Sequence, residues 1–280
     1  MRAAKYTTPK FTEIEIPFNH ADTSKGDTNT PIPAYLRVPE GKSRFPTGHP
    51  PLLFFCGIDG YRTDTTSFYA KHLENGFAVI VLEIPGTGDC PASRADQESP
   101  DRLLSSVLDW LQSNGSRLNF DLGKICIHGV STGGYSAMRA AHTHADQLFA
   151  VVAHGGGSHH MFDGAWIRMQ DQMKYPFGLA EAFAFKFGYS SVEEYAKDDN
   201  ARKRYSLIDG EGRVADRPSC RMLIINGMED SLFPCEDSML VAAKGWNKDL
   251  FVAGNLRHMG YPVCDDIVNN WLLDKINGMS

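Results

Sequence analysis

Apolar residues follow two patterns in this chain, alternating near the N-terminus and continuous further along. Residues 11–17 and 34–38 alternate apolar and polar side chains, which predicts strands with one buried face. The polar stretch 22–33 contains Gly and Pro and predicts a hairpin-like loop between them. Later segments are short continuous apolar runs, typical of strands buried on both faces. These runs cover residues 51–56, 78–82, 125–127, 148–153, 221–226 and 250–252.

Helical patterns separate the apolar runs. Residues 65–75 predict a helix that ends at Gly76. A second helix begins at Ser99 and Pro100, and its apolar positions recur at helical spacing as far as Leu111. The alternation of strand and helix predicts an α/β fold, with a mostly parallel sheet, right-handed crossovers and helices on both faces.

One aromatic-rich segment, residues 158–217, interrupts this alternation and predicts several short helices with Gly and Pro joints. A single crossover does not need about sixty residues. We therefore interpret the segment as an inserted helical lid over the carboxyl ends of the strands. The chain then divides into a core, residues 1–157 and 218–280, and the lid. Ordinary crossover helices are the alternative interpretation.

Composition limits the expected partners and location. The chain has 280 residues and a formal net charge of −6 without a basic stripe, so we expect no nucleic-acid partner. No apolar run reaches the ~18 residues of a membrane span, and the N-terminus lacks the apolar stretch of a signal peptide. Six scattered cysteines without a CxxC pair indicate reduced thiols, and we expect a cytoplasmic location. The sequence leaves open whether the protein forms a homodimer.

Residues 129–133, Gly-Val-Ser-Thr-Gly, carry the strongest chemical signal. An apolar run precedes them and a small-residue segment, residues 135–141, follows, which predicts strand, sharp turn and helix. In that context the motif is a nucleophile elbow, which exposes a serine hydroxyl at the top of a sheet. Glycines are required because the turn brings backbone segments too close for a Cβ. We predict that Ser131 is a nucleophile, with a structural turn serine as the alternative.

A serine nucleophile requires a base, and the base requires an orienting carboxylate. In elbow-containing enzymes the chain order is serine, acid, histidine. Asp230 follows the predicted strand 221–226 and is the expected acid, since such loops meet at the carboxyl edge of the sheet. Glu229, Asp237 and Asp163 are weaker candidates, and a solvated or helix-capping role for Asp230 is the alternative.

His258 is the only histidine after Asp230, so chain order selects it as the base. His154, His159 and His160 precede the acid, and each could line a pocket or satisfy local backbone groups. No carboxylate stands at a metal-binding spacing from the adjacent histidine pair, so we expect no metal and no cofactor.

The oxyanion hole is predicted from backbone N–H groups. One belongs to Thr132, directly after the nucleophile, and the second to the loop 57–61, where Ile58 is favoured over Asp59. Pocket residues are predicted from the same loop and from the lid. We expect Asp59, His159, Phe162 and Trp166 to contact substrate.

Together these features resemble the α/β-hydrolase superfamily and, within it, the fungal yellowish-green pigment hydrolases, which are similar to bacterial fermentation-respiration-switch-type esterases. The resemblance runs from about residue 5 to near the C-terminus and includes blocks that are unusual for generic hydrolases. These blocks are residues 57–62, 83–91, 139–144, 155–162, 175–177, 226–230 and 257–260.

The resemblance implies a polyketide-shortening enzyme of melanin synthesis. Such enzymes cleave a carbon–carbon bond in a heptaketide naphthopyrone and release tetrahydroxynaphthalene and acetoacetate. Ser131, Asp230 and His258 match the catalytic motifs. A general carboxylesterase or thioesterase with the same triad is one alternative. Family members usually carry a further helical region before the point where this chain begins, which helps to roof the pocket. A non-catalytic remnant without that roof is therefore the other alternative.

Overall fold

The computed structural model describes residues 11–170, 178–209 and 212–279 of the chain. In these residues an eight-stranded sheet forms the centre, in the order β1-β2-β4-β3-β5-β6-β7-β8. The strands are β1 (Thr12–Ile16), β2 (Ile32–Arg37), β3 (Pro51–Phe55), β4 (Ala78–Leu82), β5 (Cys126–Val130), β6 (Ala150–His154), β7 (Arg221–Gly227) and β8 (Lys248–Ala253).

The sheet is mostly parallel, as the sequence predicts. Strand β2 pairs antiparallel with β1 and β4, and every other pair in the described sheet is parallel. In the middle of the sheet, Leu53 is in register with Ile80 on one side and Ile127 on the other. The carboxyl ends of strands β3 to β8 therefore meet at one edge, where the loops that follow them come together.

Helices cover both faces of this sheet. They are α1 (Thr66–Glu74), α2 (Ser99–Asn114), α3 (Thr132–Thr143), α4 (Gly164–Gln170), α5 (Leu179–Lys186), α6 (Val192–Lys197), α7 (Ala201–Tyr205), α8 (Cys235–Ala242) and α9 (Val263–Ile276). Buried residues of α2, α3 and α8 belong to one apolar cluster, and those of α1 and α9 to the cluster on the opposite face. None of the helices in the described ranges is both long and apolar enough to cross a membrane.

Two strands differ from the sequence prediction. Strand β5 continues to Val130, so it leads directly into the turn that carries Ser131. Strand β8 was expected to be buried on both faces, but it is the edge strand of the sheet. Its Leu250 is 41% exposed and its Phe251 38% exposed. The apolar run has the same composition in either position, and only the strand order shows that no strand of the described sheet lies beyond it.

Helices α4 to α7 form the segment between β6 and β7 for which we predict a lid. Tyr195 donates a hydrogen bond to the Met161 carbonyl at 2.7 Å, within the segment. The Tyr135 hydroxyl of α3 donates to the Tyr205 carbonyl at 2.7 Å and connects the core to the segment. The block at 175–177 lies outside the described residues. The separation of core and lid as functional parts stays a prediction.

Candidate active site

Ser131 sits on a turn that requires close backbone contacts. Its φ is 54° and its ψ −125°, a conformation that residues with a side chain rarely adopt. A Cβ on Gly129 would lie 2.1 Å from the Gly133 carbonyl oxygen, and one on Gly133 would lie 2.4 Å from that of Phe55. Only glycine fits at both positions. This is the geometry expected for an elbow between β5 and α3.

The structure brings the three predicted catalytic side chains into one hydrogen-bonded chain. His258 Nε2 lies 2.9 Å from Ser131 Oγ, and His258 Nδ1 lies 2.8 Å from Asp230 Oδ2. These distances suit proton transfer from the hydroxyl to the imidazole, with the carboxylate holding the ring tautomer. The residues come from the loops after β5, β7 and β8.

Asp230 is fixed by further donors. Its Oδ1 accepts the backbone N–H groups of Leu232 at 2.8 Å and Phe233 at 3.1 Å. Its Oδ2 accepts Asn226 Nδ2 at 2.8 Å in addition to the His258 ring. Asp230 is 7% exposed, so these contacts hold the carboxylate in one orientation with little competition from water.

The rival carboxylates have other environments. Glu229, next to Asp230, is exposed. Asp237 is buried against the start of the predicted lid and accepts the Ser158 N–H at 2.6 Å. Asp163 accepts the Ala165 N–H at 2.8 Å at the start of α4. Of the candidates from the sequence, Asp230 is the one hydrogen-bonded to His258.

The expected oxyanion donors lie on either side of the serine. Thr132 begins α3, and the first N–H groups of a helix have no partner within the helix. Across the site, a Cβ on Gly57 would lie 3.1 Å from Ser131 Cβ, so the loop before Ile58 passes directly over the nucleophile. Ile58 and Asp59 line an open cleft of about 500 Å³. Their roles as donor and substrate contact stay predictions.

Asn226 is a site residue that the sequence reasoning missed. It is fully buried at the end of β7, and its Oδ1 accepts the N–H of Met259 at 3.0 Å. Its amide nitrogen donates to Asp230. One side chain thus positions both the acid and the turn that carries His258. Its place at the end of a predicted strand, four residues before the acid, was the available signal.

Three buried histidines, His72, His128 and His154, form a hydrogen-bonded row that ends at the turn carrying His258. His154 Nε2 lies 2.7 Å from the Met259 carbonyl oxygen, to which it must donate. His154 Nδ1 then accepts from His128 Nε2 at 3.4 Å, and His128 Nδ1 accepts from His72 Nε2 at 2.9 Å. Burial lowers the pKa of His154 to about 4 and that of His72 to about 3, so neutral rings fit this arrangement. His154 therefore satisfies a backbone carbonyl, one of the two roles that the sequence left open.

The adjacent histidines 159 and 160 meet a carboxylate that is distant in sequence. His160 donates through Nδ1 to Asp237 Oδ1, and His159 Nδ1 lies 3.3 Å from the same oxygen. Burial lowers the pKa of His159, whereas the hydrogen bond to Asp237 raises that of His160. One ligand atom from each lies within 4.8 Å of the others, so this trio could hold a metal ion. Sequence spacing did not reveal it, because Asp237 reaches the pair only through folding.

The two aromatic residues expected in the pocket are buried. Phe162 is 2% exposed and Trp166 5% exposed. Trp166 stacks on Phe233 with ring centroids 6.2 Å apart, and Phe233 lies 5.7 Å from the His258 ring. Phe162 packs edge-on against Tyr135. Their contact with substrate stays a prediction, but Trp166 is one ring away from the proposed base.

Comparison with known proteins gives a family match along nearly the whole chain. The family described as "Esterase FrsA-like" matches residues 2–277. The fungal "Hydrolase ffsE" of Aspergillus flavipes is 26% identical over 88% of this chain and 58% of its own length. "Esterase FrsA" of Escherichia coli O157:H7 is 25% identical over 76% of this chain and 48% of its own length. The chain thus spans about half the length of these relatives.

Solved structures confirm the predicted α/β-hydrolase fold. The crystal structure of the 2,6-dihydroxy-pseudo-oxynicotine hydrolase superposes with a TM-score of 0.72 at 20% sequence identity, over 96% of this chain and 69% of that one. The fold and the resemblance to fungal hydrolases and FrsA-type esterases, both expected from the sequence, are therefore correct.

We predict that Asp230→Asn lowers kcat for an activated ester by about 10⁴-fold, because the amide favours the wrong imidazole tautomer. The matched control is Glu229→Gln, an exposed neighbour, which should change kcat far less. Steady-state kinetics with p-nitrophenyl acetate measures both. The reversed ranking would assign the orienting acid to position 229.

Two variants of His154 test whether it positions the His258 turn. In His154→Asn the shorter side chain has no donor that reaches the Met259 carbonyl. In His154→Gln the amide nitrogen lies near the position of the former Nε2 and can donate to that carbonyl. An unsatisfied buried carbonyl costs about 1–3 kcal/mol, so we expect His154→Asn to lower kcat by about tenfold to hundredfold. His154→Gln should retain more activity at a similar melting temperature. Equal kcat losses in both variants would contradict the positioning role.

Proposed function

The chain belongs to the FrsA-like esterase family, and from this premise we propose that it is a serine hydrolase. The observation that carries the proposal is the hydrogen-bonded chain from Ser131 through His258 to Asp230 on a strained elbow. Such a constellation is recognised by geometry and by the role of each group.

In the proposed reaction His258 accepts the proton of the Ser131 hydroxyl as its oxygen attacks a substrate carbonyl carbon. The N–H groups of Thr132 and Ile58 hold the resulting oxyanion. Collapse of the tetrahedral intermediate breaks the bond to the leaving group, which takes the proton from His258. Water, deprotonated by His258, then attacks the acyl-enzyme and releases the acid.

The two candidate classes of substrate differ in the leaving group that is expelled. In an ester it is an alkoxide, whereas in a 1,3-diketone it is a carbanion stabilised as an enolate. We propose an aromatic polyketide such as a heptaketide naphthopyrone as the substrate, within pigment or melanin synthesis. The resemblance of the sequence blocks to the pigment hydrolases supports this assignment. A carboxylesterase or thioesterase is the second candidate, and the family description favours it.

Active-site labelling and product analysis test the proposal. We expect a fluorophosphonate probe to label the wild-type protein on Ser131 and to leave Ser131→Ala unlabelled. Wild-type protein should convert a heptaketide naphthopyrone to tetrahydroxynaphthalene and acetoacetate, as measured by mass spectrometry, and Ser131→Ala should lower kcat by several orders of magnitude. A folded Ser131→Ala variant with unchanged turnover would exclude Ser131 as nucleophile.

The substrate panel separates the candidates. Turnover of short p-nitrophenyl esters with none on naphthopyrones would assign the protein as an esterase. Failure of both reactions and of labelling would favour a non-catalytic protein.

We further propose that the segment 158–217 acts as a lid that selects the substrate. Trp166→Ala and Phe162→Ala should change relative kcat/KM among large acyl groups more than turnover of a small activated ester, since remote binding energy is expressed mainly with large substrates. Trp246→Ala, at a residue 83% exposed, is the matched control. If large and small substrates lost activity equally while the melting temperature fell, these aromatics would serve the core alone.

A further inference from the structure

Among the described residues, Lys186 lines two cavities, each of which includes a residue predicted to donate to the oxyanion. The first is a small cavity of about 40 Å³ that includes Thr132 in its wall. The second is the open cleft of about 500 Å³ that includes Ile58. The shared residue is Lys186, the last residue of α5 in the predicted lid segment. Lys186 therefore borders two spaces whose walls include Thr132 and Ile58, the residues predicted to form the oxyanion hole.

The ammonium group of Lys186 is buried with few partners. The residue is 8% exposed, and its Nζ donates to the Thr87 hydroxyl. In the part of the chain that the structure describes, no carboxylate lies within ion-pair distance of it. An ammonium has three donors, and buried lysines are almost always paired. Two of its three donors thus have no protein acceptor among the described residues.

The charged groups that act on Lys186 do so without a hydrogen bond to its ammonium. Glu83 is the strongest acidic influence on Lys186, and its Oε1 accepts the backbone N–H of Arg62 at 2.9 Å and faces the Arg62 guanidinium at 3.3 Å, whereas its buried Oε2 has no hydrogen-bond partner among the described residues. The other groups that act on Lys186 are the carboxylate of Asp59 and two thiols, those of Cys56 and Cys90. Burial raises the pKa of both thiols to about 12, so they are neutral.

The walls of the two cavities, as far as the structure describes them, carry two cations and two carboxylates. Besides Lys186, Arg94 lines the first cavity, where its guanidinium donates to the Phe185 carbonyl at 2.7 Å. The acidic wall residues are Asp59 and Asp96, and Asp96 pairs at 2.6 Å with Arg102, which also pairs with Asp27. Burial lowers the pKa of Lys186 to about 8, so the ammonium is still mostly charged at neutral pH.

We propose that Lys186 forms a subsite for an anionic oxygen of the substrate, a carboxylate, a phenolate or an enolate, beside the oxyanion hole. The inference rests on the proposed function, because the subsite has a catalytic purpose only if Ser131 acts as the nucleophile. An anionic oxygen gives the buried ammonium the partner that the described protein groups do not supply. The subsite would select acidic acyl compounds, a class that includes polyphenolic and 1,3-dicarbonyl polyketides.

A charge-matched pair of substrates tests the subsite. Mono-p-nitrophenyl glutarate carries a free carboxylate, and its methyl ester is the neutral counterpart, with nitrophenolate release as the common readout. We expect Lys186→Met to lower kcat/KM for the anionic substrate by about tenfold to hundredfold, and for the neutral one by about twofold or less. Lys186→Arg should retain most of the preference. The control Lys197→Met removes a lysine whose side chain is 68% exposed in the same segment and should leave both values unchanged.

Two outcomes would overturn the subsite. The first is that neither kcat/KM value changes in Lys186→Met. The second is an equal loss on both substrates at an unchanged melting temperature, because it would assign Lys186 a role independent of substrate charge.

A binding measurement separates failure of the subsite from failure of the proposed function. If the wild type hydrolysed neither ester, the hydrolase proposal would fail, and calorimetric titration with 1-hydroxy-2-naphthoate would then decide on the subsite. Binding to the wild type at least tenfold tighter than to Lys186→Met would support it. Equal affinities, or no binding to either protein, would exclude it.

Discussion

The close approach of backbone segments around Ser131 is the constraint on which the site depends. Strand β5 enters the turn against the start of α3, and Gly129 and Gly133 allow contacts that no Cβ would fit. The sheet on either side fixes this geometry, because Ser131 donates its N–H to the His154 carbonyl at the end of the neighbouring strand β6. A strained residue persists only where the surrounding structure over-determines it, and here two strands and a helix do so.

The second requirement is that His258 stays at hydrogen-bonding distance from the serine. It lies on a short turn after an exposed edge strand, which is a poor anchor by itself. The turn is held instead at Met259, whose N–H bonds to Asn226 and whose carbonyl bonds to His154. Buried groups at the ends of β6 and β7 thereby fix the residue next to the base, and the same Asn226 fixes the acid. The triad is one network, so its members are expected to respond non-additively to mutation.

The chemistry of the pocket is divided between the two parts of the chain. The core contains the proposed nucleophile, acid and base and the expected oxyanion donors. The segment between β6 and β7 supplies an aromatic layer that reaches His258 through Phe233, and a buried cation at Lys186. Hydrolysis of a simple ester requires only the first set. Discrimination among acyl groups by size and charge would depend on the second.

Patterns local in the sequence determined the elements of this protein. The apolar runs, the helical spacing and the glycines at 129 and 133 depend on neighbouring residues, so the strands, the elbow and the chain order of Ser131, Asp230 and His258 could be predicted. Tertiary structure decided the rest. The edge position of β8, the meeting of Asp237 with His160 and the contact of Lys186 with Thr87 depend on which segments pack together. Such contacts join residues far apart in the chain, and burial, which sets their partners and charges, arises only when the fold encloses them.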